Sequence, residues 1–167
     1  MTKTLYIHGL NVLLSDEKRA LLSKFTEVVA PVMDYRANPS AYYDLFSIAK
    51  EEKVDIIIGT SMGGCMGYHL SLHLGLPALL FNPALPFRSV SIELPTQEKI
   101  RDTYLRVIIG GQDDIIDPIQ NVDWLFAHEK GDMDIRWRNT LGHLIPSDVF
   151  MEEIALFYRD NKLNNNN

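Results

Sequence analysis

Val54-Asp55-Ile56-Ile57-Ile58-Gly59-Thr60-Ser61-Met62-Gly63-Gly64 is the stretch whose reading decides this chain. A run of strand formers leads without interruption into G-x-S-x-G, residues 59 to 63, the pattern of a nucleophile elbow. In such a turn the central serine sits at a strained strand-to-helix corner, and a side chain at either flanking glycine would strike the neighbouring strand or helix. From the ordinary frequencies of Gly and Ser, the bare pattern turns up by chance in about one chain in 20 of this length. Its setting sharpens it. An apolar β-branched run precedes it and a helix-length stretch, residues 62 to 74, follows. Partner residues must decide between this reading and a glycine-rich helix start with an idle serine.

Outward from the elbow, strand-like and helix-like segments alternate, which predicts an α/β domain with a mainly parallel sheet and helices on both faces. Residues 54 to 58 show no polar alternation, as expected of a central parallel strand buried on both faces. Upstream, Leu5-Tyr6-Ile7-His8 is a short strand ending at Gly9, and Ser15-Asp16-Glu17 supplies a cap and acidic first turn for a helix to about Phe25. Residues 27 to 30 form a weaker strand that meets Pro31. Proline has no amide to give a ladder, so this strand belongs at a sheet edge. A helix starts at Asn38-Pro39-Ser40 and runs to about Lys53.

Downstream, Ala78-Leu79-Leu80-Phe81-Asn82 is another buried strand, and residues 83 to 95 form a loop-rich region with a short helix expected from about Thr96. The next strand, residues 105 to 109, ends in Gly110-Gly111, and Asp117-Pro118 caps a helix to about Lys130. Residues 133 to 137 read as the last strand. A loop to Ile145 follows, then a helix from Pro146-Ser147-Asp148 to Tyr158. With no internal repeat or linker, residues 1–160 are expected to form one domain and residues 161–167 a disordered Asn-rich tail.

Composition bounds the function. A chain of 167 residues can bury about 70% of its extended-chain surface without help from disulfides. Apolar residues at 46% and a mean hydropathy of −0.06 are those of a water-soluble globular protein. The net charge of −6 and the lack of a Lys/Arg cluster argue against nucleic acid and against anionic membrane surfaces. Cys65 is the single cysteine, so no internal disulfide can form, and no apolar run reaches the ~18 residues of a membrane span. A cytoplasmic protein is expected.

A serine hydroxyl at neutral pH needs a base to take its proton and a third group to orient that base. With this elbow the chain order is serine, then acid, then histidine, each on a loop at the carboxyl end of a strand. Asp113 and Asp114 follow the strand at 105 to 109, and His143 follows the strand at 133 to 137. Asp117 also lies on the acid loop, but as an aspartate before proline it has a capping task. For the oxyanion, the amide after the nucleophile belongs to Met62, at the positive end of a helix. Leu10, after His8-Gly9, is the candidate for the second. His69 and His73 are one helical turn apart, but without a third ligand they are expected to be packing or surface residues. His128 is expected at the surface.

His8-Gly9, the elbow, the aspartate loop and Gly142-His143 together resemble the α/β-hydrolase superfamily across nearly the whole chain. More narrowly, residues 59 to 64 continuing to Leu76-Pro77-Ala78 and Phe81-Asn82-Pro83-Ala84 resemble the small YqiA-like esterases, which lack a lid domain. The resemblance implies strand order 2-1-3-4-5-6, and it implies Ser61, Asp113 and His143 as the catalytic set. The histidine loop, Asn139-Thr140-Leu141-Gly142-His143, departs from it by lacking a second glycine. The expected activity is cleavage of a small-molecule carboxylic ester or thioester of short to medium acyl length through an acyl-enzyme, with no metal or organic cofactor implied. The rival is a non-catalytic binding protein that retains the fold, since fold does not dictate function.

Overall fold

A computed structural model of the chain describes residues 1–96 and 99–164. In chain order the elements are β1 (Lys3–Ile7), α1 (Asp16–Leu22), β2 (Glu27–Val29), α2 (Ala41–Glu51), β3 (Ile56–Thr60), α3 (Met62–Leu74), β4 (Ala78–Phe81), β5 (Leu105–Gly110), α4 (Pro118–His128), β6 (Asp134–Arg138) and α5 (Ser147–Asn164). The strands pair in the order β2-β1-β3-β4-β5-β6, and every pair is parallel. This is the expected order, and the three-residue β2 that stops before Pro31 is at one edge. β3 lies between β1 and β4, with Gly59 paired to Ile7 on one side and to Leu80 on the other.

Neighbouring residues of a strand face opposite sides, and here both sides are apolar. Leu5, Ile57, Leu80, Val107 and Ile109 pack with α2, α3 and α4. Tyr6, Ile58, Leu79, Phe81 and Ile108 pack with Leu22 of α1 and with Phe150, Ile154 and Phe157 of α5. Those three α5 residues recur at helical spacing, so one stripe of the helix is buried against the sheet. The result is a six-stranded parallel sheet with helices on both faces, as the alternation of segments predicts.

Two arginines are buried, each against carboxylate partners. Arg106 in β5 is fully enclosed, with Nη2 at 2.7 Å from Asp134 of β6 and 2.6 Å from Asp160 of α5. Its neighbour Arg159 and then Arg106 itself hold the Asp160 carboxyl down at about 2. Arg101 bonds Glu129 at 2.8 Å and also reaches Ser71 Oγ and the Tyr68 carbonyl. This tether explains one departure from expectation. The helix expected from about Thr96 is absent from Thr96 and from residues 99–104, because burying Arg101 draws the connection flat against α3. Gln97 and Glu98 lie outside the described residues. At the other end α5 continues past Tyr158 to Asn164, with Asn161 buried, so the expected tail begins as packed helix. Residues 165–167 lie outside the description. Among the described residues no helix is long and apolar enough to cross a membrane.

Candidate active site

Ser61 stands between β3 and α3 with φ 52° and ψ −116°, a left-handed backbone that non-glycine residues rarely adopt. Such a conformation costs on the order of 1–3 kcal/mol and persists only where its surroundings hold it. Three backbone hydrogen bonds do so. The Ser61 amide donates to Phe81 at 3.0 Å, and its carbonyl accepts from Cys65 at 3.1 Å and Ala84 at 2.9 Å. The flanking glycines are a steric necessity: a Cβ on Gly59 would run into the Gly63 carbonyl, and one on Gly63 into the Ile7 and His8 carbonyls.

The structure brings Ser61, His143 and Asp113 into one hydrogen-bonded line. His143 Nε2 is 3.0 Å from Ser61 Oγ, and His143 Nδ1 is 2.8 Å from Asp113 Oδ2 and 2.9 Å from Oδ1. A carboxylate only accepts, so the imidazole proton belongs on Nδ1 and Nε2 is left bare toward the serine. Asp113 is itself buried and held: its Oδ1 accepts from the amides of Ile115 and Ile116, each at 2.9 Å. Asp114 is exposed at the cavity edge. Asp117 caps α4 by accepting from the Gln120 amide at 2.9 Å, the expected structural task.

Met62 is the first residue of α3, where an amide has no partner within the helix. Leu10 follows Gly9, whose Cβ position would lie 3.4 Å from Ser61 Cβ, so the chain just after β1 passes directly beside Ser61. Leu10, Met62, Ser61 and His143 all line one cavity of about 910 Å³. Its walls are largely apolar, and Val12, Leu13, Phe87, Ile115 and Leu144 stand exposed around it. Lys18, Arg36 and Arg88 line it as well, facing one carboxylate, Asp114, so the cavity is locally cationic in a chain of net charge −6. Residues 83–95 form no regular element, so among the described residues that segment builds no helical lid over it.

Sequence reasoning gave no site role to two residues that hold this geometry. Asn82, buried at the end of β4 with φ 40°, bonds the His143 loop and the end of β5. His8 is buried beneath the Leu10 loop. Its Nδ1 donates to the Gly9 carbonyl at 2.5 Å and its Nε2 accepts from Met33 at 2.9 Å. The signal for each was a polar residue closing an apolar strand.

The remaining histidines fall away from this site. Burial, then the neighbouring His73, push His69 down to about 4, and His73 is bonded to the Tyr42 hydroxyl at 3.0 Å. His128 is exposed and stacks on Trp124. Among the described residues no three His, Cys, Asp or Glu side chains converge as metal ligands. Cys65 is buried, and burial pushes its thiol up to about 11, so it serves as packing under the elbow.

Solved structures of the same fold include carboxylesterases. A carboxylesterase from Mesorhizobium loti matches with TM-score 0.60 and 18% identity, over 92% of this chain and 88% of the other. The Bacillus cereus carboxylesterase matches with TM-score 0.63 and 16% identity, over 95% and 88%. Arabidopsis thaliana SOBER1 gives TM-score 0.63 and 15% identity, over 95% and 98%. At these identities the likeness is one of fold. No curated protein matches the sequence. A family model does match, over residues 3–105, a span that includes Ser61 and stops short of Asp113 and His143. The chain, an α/β hydrolase in fold, thus belongs to the uncharacterised protein family UPF0227.

Proposed function

We propose that this protein is a serine hydrolase that cleaves small carboxylic esters or thioesters of short to medium acyl length. The observation that carries the reading is the line Ser61 Oγ, His143 Nε2, His143 Nδ1, Asp113, with contacts of 3.0 Å and 2.8 Å. Ser61 Oγ attacks the carbonyl carbon while His143 Nε2 takes its proton. Asp113 stabilises the imidazolium so formed and fixes its orientation. Negative charge moves to the carbonyl oxygen, where the amides of Met62 and Leu10 receive it, with the α3 dipole adding to the field. Collapse breaks the bond to the alcohol or thiol, which leaves with the proton from His143. Water then gives a proton to His143 as it attacks the acyl-serine, and the second collapse returns that proton to Ser61 and releases the acid.

The open apolar walls suit a modest acyl chain, and the likeness in fold to carboxylesterases supports the reaction class. Ser61→Ala, combined with labelling by a fluorophosphonate, tests the proposal. Covalent labelling is expected to vanish, and turnover of a p-nitrophenyl ester to fall to the small residual rate above water that the oxyanion site supplies. Undiminished turnover in the folded variant would sink it. A protein that merely binds has no reason to activate Ser61 toward the probe, so unlabelled wild type would favour a binding role.

A further inference from the structure

We infer that Asn82 is a positioning residue that holds His143 in register with Ser61. The inference rests on the triad reading above. Asn82 is 2% exposed, and its side chain is spent entirely on backbone groups of the two loops that carry Asp113 and His143. Its Oδ1 accepts from the Gly110 amide at 2.7 Å, and its Nδ2 donates to the carbonyls of Gly142 at 2.8 Å and His143 at 3.2 Å. An amide can only donate and a carbonyl only accept, so these partners require one acceptor and two donors. Asparagine supplies that set at this length. Aspartate, the same shape, does not.

The backbone around Asn82 serves the third member. Phe81 accepts from the Ser61 amide at 3.0 Å, and Ala84 donates to the Ser61 carbonyl at 2.9 Å. The Asn82 amide itself donates to Ile108 at 2.9 Å. The segment Phe81 to Ala84, with Asn82 at its centre, thus ties the elbow to the end of β5, three residues before Asp113, and to the His143 backbone itself. Close packing leaves no alternative seat, since a Cβ on Gly110 would lie 2.8 Å from the Gly142 carbonyl. Asparagine also tolerates the φ of 40° at this corner better than most residues do.

Two variants and a control test this. N82G keeps the backbone conformation open and removes the cross-link. N82D keeps the shape and the Gly110 bond but turns a carboxylate on two carbonyls. Thr26→Ala, a buried site at the opposite end of the sheet, controls for loss of stability alone. With kcat expressed per folded molecule by circular dichroism, both Asn82 variants are expected to lose up to about 10²-fold in kcat while KM changes little. The downfield Nδ1 proton resonance of His143 should shift or broaden in both. Thr26→Ala should keep its kcat and that resonance. In N82D the deficit relative to wild type should shrink from about pH 8 to about pH 6, as a protonated carboxyl regains one donor. If both Asn82 variants keep kcat within twofold and leave the resonance unmoved while Ser61→Ala is inactive, the positioning role is overturned and the triad reading stands. Turnover retained by Ser61→Ala would instead remove the triad reading, and this inference with it.

Discussion

Replacing Asp113 by asparagine changes one atom and should nearly stop the reaction. In the native arrangement Asp113 Oδ1 accepts from Ile115 and Ile116, each at 2.9 Å, while Oδ2 faces His143 Nδ1 at 2.8 Å. The amide oxygen of Asp113→Asn can keep both backbone bonds only by turning its NH₂ toward the imidazole. An NH₂ cannot accept, so Nδ1 must give up its proton and the ring switches tautomer. The proton then sits on Nε2, 3.0 Å from Ser61 Oγ, where a base is needed. By analogy with serine proteases the loss in kcat is about 10⁴-fold, or about 5.4 kcal/mol of activation free energy. Stability should change by less than about 1 kcal/mol, because the two buried backbone bonds survive. Steady-state hydrolysis of a soluble p-nitrophenyl ester and a thermal melt measure the two quantities. Asp114→Asn, altering an exposed side chain, is the comparison and should lose little. A kcat for Asp113→Asn within tenfold of wild type, or a larger loss in Asp114→Asn, would refute the argument.

Other outcomes follow from the same coordinates. Asp117→Ala should lower stability by about 1 kcal/mol, a drop of roughly 2–4 °C in Tm, with kcat unchanged, since its task is to cap α4. The Asp160 carboxyl titrates below its ordinary 3.8, at about 2, so its ion pairs stabilise the fold above that ordinary value and fail as pH falls toward the lower one. Thermal melts between about pH 4 and about pH 2 should therefore show a shallower fall for Asp160→Asn than for wild type. Across a series of esters from acetate to palmitate, kcat/KM should peak at short or medium chains with no jump when the ester forms micelles. A requirement for an interface would contradict the open cavity.

The elbow was legible because its constraints are local. The apolar run of β3, the glycines that must lack side chains and the helix of α3 lie within about twenty consecutive residues, and each strand-to-helix loop could be located by the same periodicity. Pro31 marked the edge strand for an equally local reason, its missing amide. The choice between Asp113 and Asp114, although local, was not legible from periodicity, which locates a loop but not the way its side chains turn. Adjacent loop residues point in different directions, and the direction is set by Asp113 turning back onto the amides of Ile115 and Ile116. Asn82 was harder still, because its partners Gly110 and Gly142 lie 28 and 60 residues away. Arg101 hid for the same reason. Its partner Glu129 is 28 residues on, and the pair replaced an expected helix with a tethered strap.

Gly63 rests its bare α-carbon against the carbonyls that end β1, the strand that runs on into Leu10. The two amides proposed to receive the oxyanion therefore ride on elements that meet backbone to backbone, with no flexible side chain between them. Their spacing works like a machined gap: thermal rotamer changes elsewhere in the cavity cannot open or narrow it. In the hydrolase proposed above, substitutions at Val12, Leu13, Phe87 or Leu144 around the mouth would then change substrate preference and leave the spacing of those two amides as it is.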